Sequence, residues 1–63
     1  MLGDNIKQLM RRKGYKQNRL AKEVGCDESA ISLYVNNKRE PYIRILKNMA
    51  RCFNVTVDEL IKD

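Results

Sequence analysis

Apolar residues recur every three or four positions along nearly the whole of this chain, and residues that tolerate a left-handed backbone interrupt the pattern at short intervals. A stripe of that period is buried by an α-helix and by no strand. Stops at Gly14, Gly25, Asn37 and Asn54 keep each helix short. No stretch of strand length alternates strictly between apolar and polar residues, so the pattern predicts an all-α fold of several brief helices.

Helix 1 is predicted over residues 2–13, with Leu2, Ile6, Leu9 and Met10 on one face and Gly14 as its stop. Helix 2 is predicted over 17–24, with Leu20, Ala21 and Val24 inward and Gly25 after it. Helix 3 is predicted over 28–36. Asp27 stands at its N-cap, where a carboxylate can accept from first-turn amides. Ala30, Ile31, Tyr34 and Val35 share one side of this helix, and Glu28, Ser29, Ser32, Leu33 and Asn36 share the other. A polar loop over 37–41 leads to helix 4 over 42–53, where Tyr42, Ile45, Leu46, Met49 and Phe53 repeat at helical spacing. Helix 5 is predicted over 57–62, opened by the capping box of Thr56 and Glu59 with Val55 and Leu60 as a hydrophobic staple. The expected core is Ile6, Leu9, Leu20, Ala21, Val24, Ile31, Ile45, Leu46, Met49, Phe53, Val55 and Leu60.

With 63 residues, the chain reads as one domain over 1–63. A chain of this size buries only about 60% of the surface it exposes when unfolded, so its core is marginal. Disulfides, metals or partner subunits often supplement such cores. Cys26 and Cys52 form no CxxC pair and there is no histidine, so no Cys/His zinc site is available and no cofactor is expected. Both thiols read as small buried apolar residues of a reducing cytoplasm. A second copy of the chain is the remaining source of stability. The first residues mix charge with apolar positions, so neither a signal peptide nor a membrane span is expected, and the protein is expected in the cytoplasm.

The formal net charge is +5, and residues 1–25 carry seven Lys or Arg against two acids. A basic surface suits a polyanion such as nucleic acid, although a generic soluble surface can also be basic. With no nucleophile–base pair, no histidine and no glycine-rich phosphate loop, an enzyme is not expected.

Residues 17–35 narrow the reading. They encode two short helices joined by a tight turn at Gly25, with Ala21 four residues before that glycine and Ile31 six after it. A small residue at 21 allows the second helix to cross closely, the glycine permits a positive φ, and Ile31 fills the space between the helices. Such a pair projects its second helix outward, in a form that the DNA major groove admits, but a helical hairpin of any small bundle has the same pattern.

Several motifs occur together in order: Asn5-Ile6-Lys7 with Leu9, Gln17 with Leu20-Ala21, Gly25, Ile31-Ser32, the run Asn36 to Pro41, and Asn54 to Leu60. On these the chain resembles the Cro and phage-repressor type of helix-turn-helix domain, the XRE family, over nearly its whole length. The resemblance implies a compact five-helix lambda-repressor-like fold with the helix-turn-helix unit at about 17–36. It also implies sequence-specific binding of double-stranded DNA by a homodimer on an inverted-repeat operator, and a transcriptional regulator that is expected to repress. The alternative on the same fold is a protein-interaction module, such as an antitoxin or anti-repressor.

The resemblance assigns phosphate contacts to Gln17, Asn36, Lys38 and Arg39, and Lys16 stands where a family threonine often caps helix 2 and would add a cation there. Base readout falls to Glu28, Ser29, Ser32 and Leu33, a face with none of the glutamine, arginine or lysine common in the family. Glu28 either accepts from a cytosine amino group or only stabilises the helix N-terminus. Leu33 either packs on a thymine methyl or marks a protein contact. Tyr42 stands where a serine often starts helix 4. Met10 and Val35 replace an arginine and a glutamate that pair in many members, which predicts that the two apolar side chains meet. Val57 and Ile61, four apart on helix 5, are expected at the dimer interface or else in the core.

Overall fold

The computed structural model describes residues 1–63 and contains five helices: α1 (Leu2–Lys13), α2 (Gln17–Val24), α3 (Glu28–Val35), α4 (Ile43–Phe53) and α5 (Val57–Ile61). The stops fall where the sequence places them. Gly14 and Gly25 end α1 and α2 at φ 73° and 82°, and Asn37 and Asn54 take φ 58° and 56° after α3 and α4. Nothing crowds the position a Cβ would take at Gly14 or Gly25, so glycine is required there by conformation rather than by space. None of the helices is long and apolar enough to cross a membrane.

Three boundaries move by one residue from the sequence reading. α3 ends at Val35, because Asn36 leaves helical geometry and turns its side-chain Nδ2 back to the Ser32 carbonyl at 2.8 Å. α4 begins at Ile43, not at Tyr42, which is the extended N-cap residue and is 79% exposed. The apolar period ran on to Tyr42, but its ring points away from the core because an N-cap residue is not yet in the helical spiral. α5 ends at Ile61, with Lys62 extended. Asp27 is the N-cap of α3, but its carboxylate takes no amide: its backbone carbonyl accepts from Ala30 and Ile31 N–H instead. Thr56 and Glu59 do form the full capping box, with Glu59 N–H donating to Thr56 Oγ1 at 3.0 Å and Thr56 N–H to Glu59 Oε1 at 2.9 Å.

α2 packs on α3 and α4, while α1 lies across α3, α4 and α5. Ten of the twelve expected core residues are buried; Leu46 and Val55 are half-buried against the cluster. Met10, Tyr34, Val35 and Ala50 complete it, and no polar or charged residue is buried with them. Met10 and Val35 thus join one apolar cluster where α1 meets α3, at 8% and 2% exposure. Cys26 and Cys52 are free thiols, half-buried rather than buried, and each is pushed up in pKa by desolvation.

Gly3 sets how closely α1 approaches α3. A Cβ there would lie 2.6 Å from the carbonyl oxygens of both Tyr34 and Val35, so only a glycine allows this separation. The Gly3 N–H donates to Asn37 Oδ1 at 2.9 Å, tying the start of α1 to the end of α3. Two residues further along α1, the Asn5 side chain donates to the Leu60 carbonyl at 2.9 Å and holds the last turn of α5.

Candidate nucleic-acid interface

The turn between α2 and α3 is built by backbone bonds. The N–H groups of Gly25 and Cys26 both donate to the Ala21 carbonyl, at 2.9 and 3.0 Å, so the left-handed glycine closes α2 and reverses the chain into α3. Ala21, Val24 and Ile31 are buried between the two helices. Asn48 on α4 donates to the Val24 carbonyl at 3.1 Å and satisfies a group that the end of α2 would leave open.

With Ile31, Tyr34 and Val35 turned inward, α3 presents Glu28 and Ser29 fully to solvent and Ser32 and Leu33 partly. Both of the chain's ion pairs lie elsewhere, between the N-terminus and Asp4 and between Arg19 and Glu23, so Glu28 has no cationic partner. Lys16 is exposed immediately before α2, and Gln17 opens that helix half-buried. Beyond α3, Asn36 is the C-cap with one N–H of its side-chain amide donated to the Ser32 carbonyl, while Lys38 and Arg39 are exposed in the loop before Pro41. The Lys38 N–H donates to the Leu33 carbonyl at 2.9 Å, which fixes where this loop leaves the helix.

The residues of α5 divide. Val57 packs partly against the core, whereas Ile61 is 46% exposed. Ile61 lines an apolar groove with Leu2, Pro41 and Leu46, between the start of α1, the loop after α3, and α4.

A network on α2 was not anticipated from the sequence. Tyr15 donates its hydroxyl to Glu23 Oε1 at 2.8 Å, Arg19 Nε donates to Glu23 Oε2 at 3.0 Å, and the Arg19 guanidinium sits 4.2 Å from the Tyr15 ring centre. The bond from Tyr15, then that from Arg19, holds the Glu23 carboxyl below its ordinary range, and the same bond raises the Tyr15 phenol. The four-residue spacing of Arg19 and Glu23 signals their ion pair, whereas Tyr15 lies before the N-cap of α2, where helical spacing does not report it.

Comparison with known proteins agrees with the five-helix fold. The chain is 31% identical over 62 residues to the SPbeta prophage-derived uncharacterized HTH-type transcriptional regulator YonR of Bacillus subtilis strain 168; the match takes in 98% of this chain and 57% of that protein's length. It is similar to the N-terminal DNA-binding domain of SinR from Bacillus subtilis, with a TM-score of 0.91 and 31% identity, over 100% of this chain and 93% of that one. It is similar too to the structure of SinR, the master regulator for biofilm formation, in complex with DNA, at a TM-score of 0.90 and 32% identity, over 98% of this chain and 100% of that one. The helix-turn-helix family model matches residues 6–60, nearly the whole of the five-helix fold, and this chain belongs to the helix-turn-helix family.

Proposed function

We propose that residues 1–63 act as one DNA-binding unit of a cytoplasmic transcriptional regulator, a repressor without catalytic activity of its own. In this reading α3 enters the major groove of double-stranded DNA, and two copies meet an inverted-repeat operator. The observation that carries it is the solvent-facing side of α3, free of internal ion pairs, together with exposed cations at Lys16 before α2 and at Lys38 and Arg39 in the loop after α3. Similarity to SinR, whose structure includes DNA, supports the same reading.

The division of labour follows from chemistry. Lys16, Gln17, Asn36, Lys38 and Arg39 meet phosphates and set register. Glu28 accepts from a cytosine amino group, Ser29 and Ser32 offer short hydroxyls, and Leu33 lies against a thymine methyl. Asp27 and Glu28 oppose nearby phosphates, so an acidic helix start costs general affinity and contributes discrimination. A dimer through α5, with Ile61 at its centre and Val57 beside it, sets two copies of α3 about 34–36 Å apart, the spacing of successive major grooves.

The test is the salt dependence of binding to a duplex. If the three cations and two amides meet phosphates, the logarithm of the association constant falls steeply and linearly with the logarithm of salt, at about −0.9 per phosphate neutralised. Lys38→Ala and Arg39→Ala each lower that slope. Absence of binding at moderate salt overturns the reading. A protein-interaction role then becomes the better one, favoured by the apolar groove that Ile61 and Leu46 line.

A further inference from the structure

We propose that Tyr15, Arg19 and Glu23 form a clamp that positions the first turn of α2 for its contact with a DNA phosphate. The inference rests on the reading of Gln17 as a phosphate contact, and it adds three positioning residues that touch no DNA themselves.

The starting point is a first turn that the N-cap residue leaves unsupported, where only the third amide, Arg19 N–H, finds a side-chain acceptor, Asn18 Oδ1 at 2.8 Å. Lys16 is the N-cap of α2, extended at φ −96° and ψ 164°, and its side chain makes no bond to the helix. In α5 the N-cap residue itself contributes, with Thr56 Oγ1 accepting from the third amide, Glu59 N–H, and Glu59 accepting from the Thr56 N–H. The amides of Gln17 and Asn18 have no acceptor within the helix, as for any first turn. Leaving them open suits an anion but leaves the turn free to fray.

The clamp supplies order from the side. Tyr15, two residues before Gln17, sets its ring edge-on to the buried Phe53 of α4, with centres 5.6 Å apart at 89°. Its N–H donates to the Met10 carbonyl at 2.8 Å, so its backbone is fixed to the end of α1. From that anchored ring the hydroxyl reaches Glu23 in the last turn of α2, and Arg19 stacks on the ring face while bonding the same carboxylate. Tyr15 therefore binds the entry, middle and end of α2 to the core. Arg19 is thus paired with Glu23 and stacked on the ring while its side chain stays exposed.

The test is a cycle of Tyr15→Phe, Gln17→Ala and the double variant, each measured for affinity to a short random-sequence duplex at fixed salt. Tyr15→Phe keeps the ring on Phe53 and under Arg19 and removes only the bond to Glu23. It should weaken binding about five-fold, the scale of one well-made hydrogen bond. In the Gln17→Ala background the same change should weaken binding less than about two-fold, because the positioned contact is gone. Equal losses in both backgrounds overturn the clamp, since loss of stability alone would not depend on Gln17. The free protein gives a readout that needs no DNA. Tyr15→Phe should speed amide exchange at Leu20, whose bond to the Lys16 carbonyl at 3.0 Å is the first of α2, while leaving Ile31 unchanged. Unchanged exchange at Leu20 overturns the clamp whether or not the duplex binds. Failure of the wild-type chain to bind any duplex, with faster Leu20 exchange in Tyr15→Phe, overturns instead the function that the clamp serves.

Discussion

Replacing Gly3 by alanine sets two physical effects against each other with opposite signs. Gly3 lies inside α1, where alanine is favoured over glycine by about 0.8–1.0 kcal/mol. Helix propensity alone therefore predicts a more stable protein. Packing predicts the reverse. The new methyl would stand 2.6 Å from two carbonyl oxygens of α3 and 2.7 Å from Asn37 Oδ1, against an ordinary carbon–oxygen contact of about 3.3–3.6 Å. Two of these neighbours are backbone, so α1 must move away by more than half an ångström (about 0.7 Å). Overpacking of this kind costs about 1–3 kcal/mol. Stretching the 2.9 Å bond from Gly3 N–H to Asn37 adds about 0.5–1.5 kcal/mol. With the propensity gain deducted, Gly3→Ala should destabilise by about 0.5–4 kcal/mol, out of about 3–9 kcal/mol for a chain of this length. Thermal unfolding followed by circular dichroism should show a Tm lower by roughly 2–30 °C. In amide spectra the largest changes should fall at Tyr34 to Lys38. An unchanged or higher Tm would refute the argument that backbone contact between α1 and α3 requires glycine.

Three further changes probe other parts of the structure. Val35→Glu buries an unpaired carboxylate in the apolar cluster that also holds Met10 and should lower stability by about 3–5 kcal/mol; adding Met10→Arg should restore part of it, and no recovery in denaturant titration would show that the two side chains do not meet. Glu23 and Glu59 both have lowered pKa values in the folded chain, the first through Tyr15 and Arg19 and the second through Thr56. Their contribution is thus present above the ordinary carboxyl value of 4.5 and is lost as pH falls below it through the lowered folded values. Glu23→Gln or Glu59→Gln should flatten the acid limb of stability against pH, and an identical limb in both variants would contradict these shifts. Ile61→Lys should shift a dimer toward a folded monomer in sedimentation, and an unchanged dimer would place the interface elsewhere.

Local chemistry was easy to read in this chain. Gly14, Gly25, Asn37 and Asn54 are legible because a left-handed residue after a helix is a property of a few adjacent residues. The capping box at Thr56 is legible for the same reason. Tyr42 shows the limit of periodicity: the apolar repeat passes through the N-cap without registering that the helix has not begun. Gly3 was illegible, since its role depends on carbonyls more than thirty residues away (the bond to Asn37 spans 34) that no local pattern reports. Met10 and Val35 were placed together only through the resemblance, because two apolar residues on separate helices carry no mark of partnership. On α3 the solvent-facing set of Glu28, Ser29, Ser32 and Leu33 followed from helical spacing, although Ser32 and Leu33 are half-covered. The clamp on α2 spans a helix boundary, so reading each helix by itself divided Tyr15 from Arg19 and Glu23.

The central claim is that α3 reads a DNA sequence on behalf of two copies of this chain. Selection from a random duplex pool, with the bound sequences read out, tests it most directly. The account predicts an enriched inverted repeat with half-sites about one helical turn apart. It also predicts that Glu28→Gln and Leu33→Ala each alter preference within the half-site while leaving the spacing unchanged. Binding with no enriched sequence, or an enriched site indifferent to both substitutions, would contradict it.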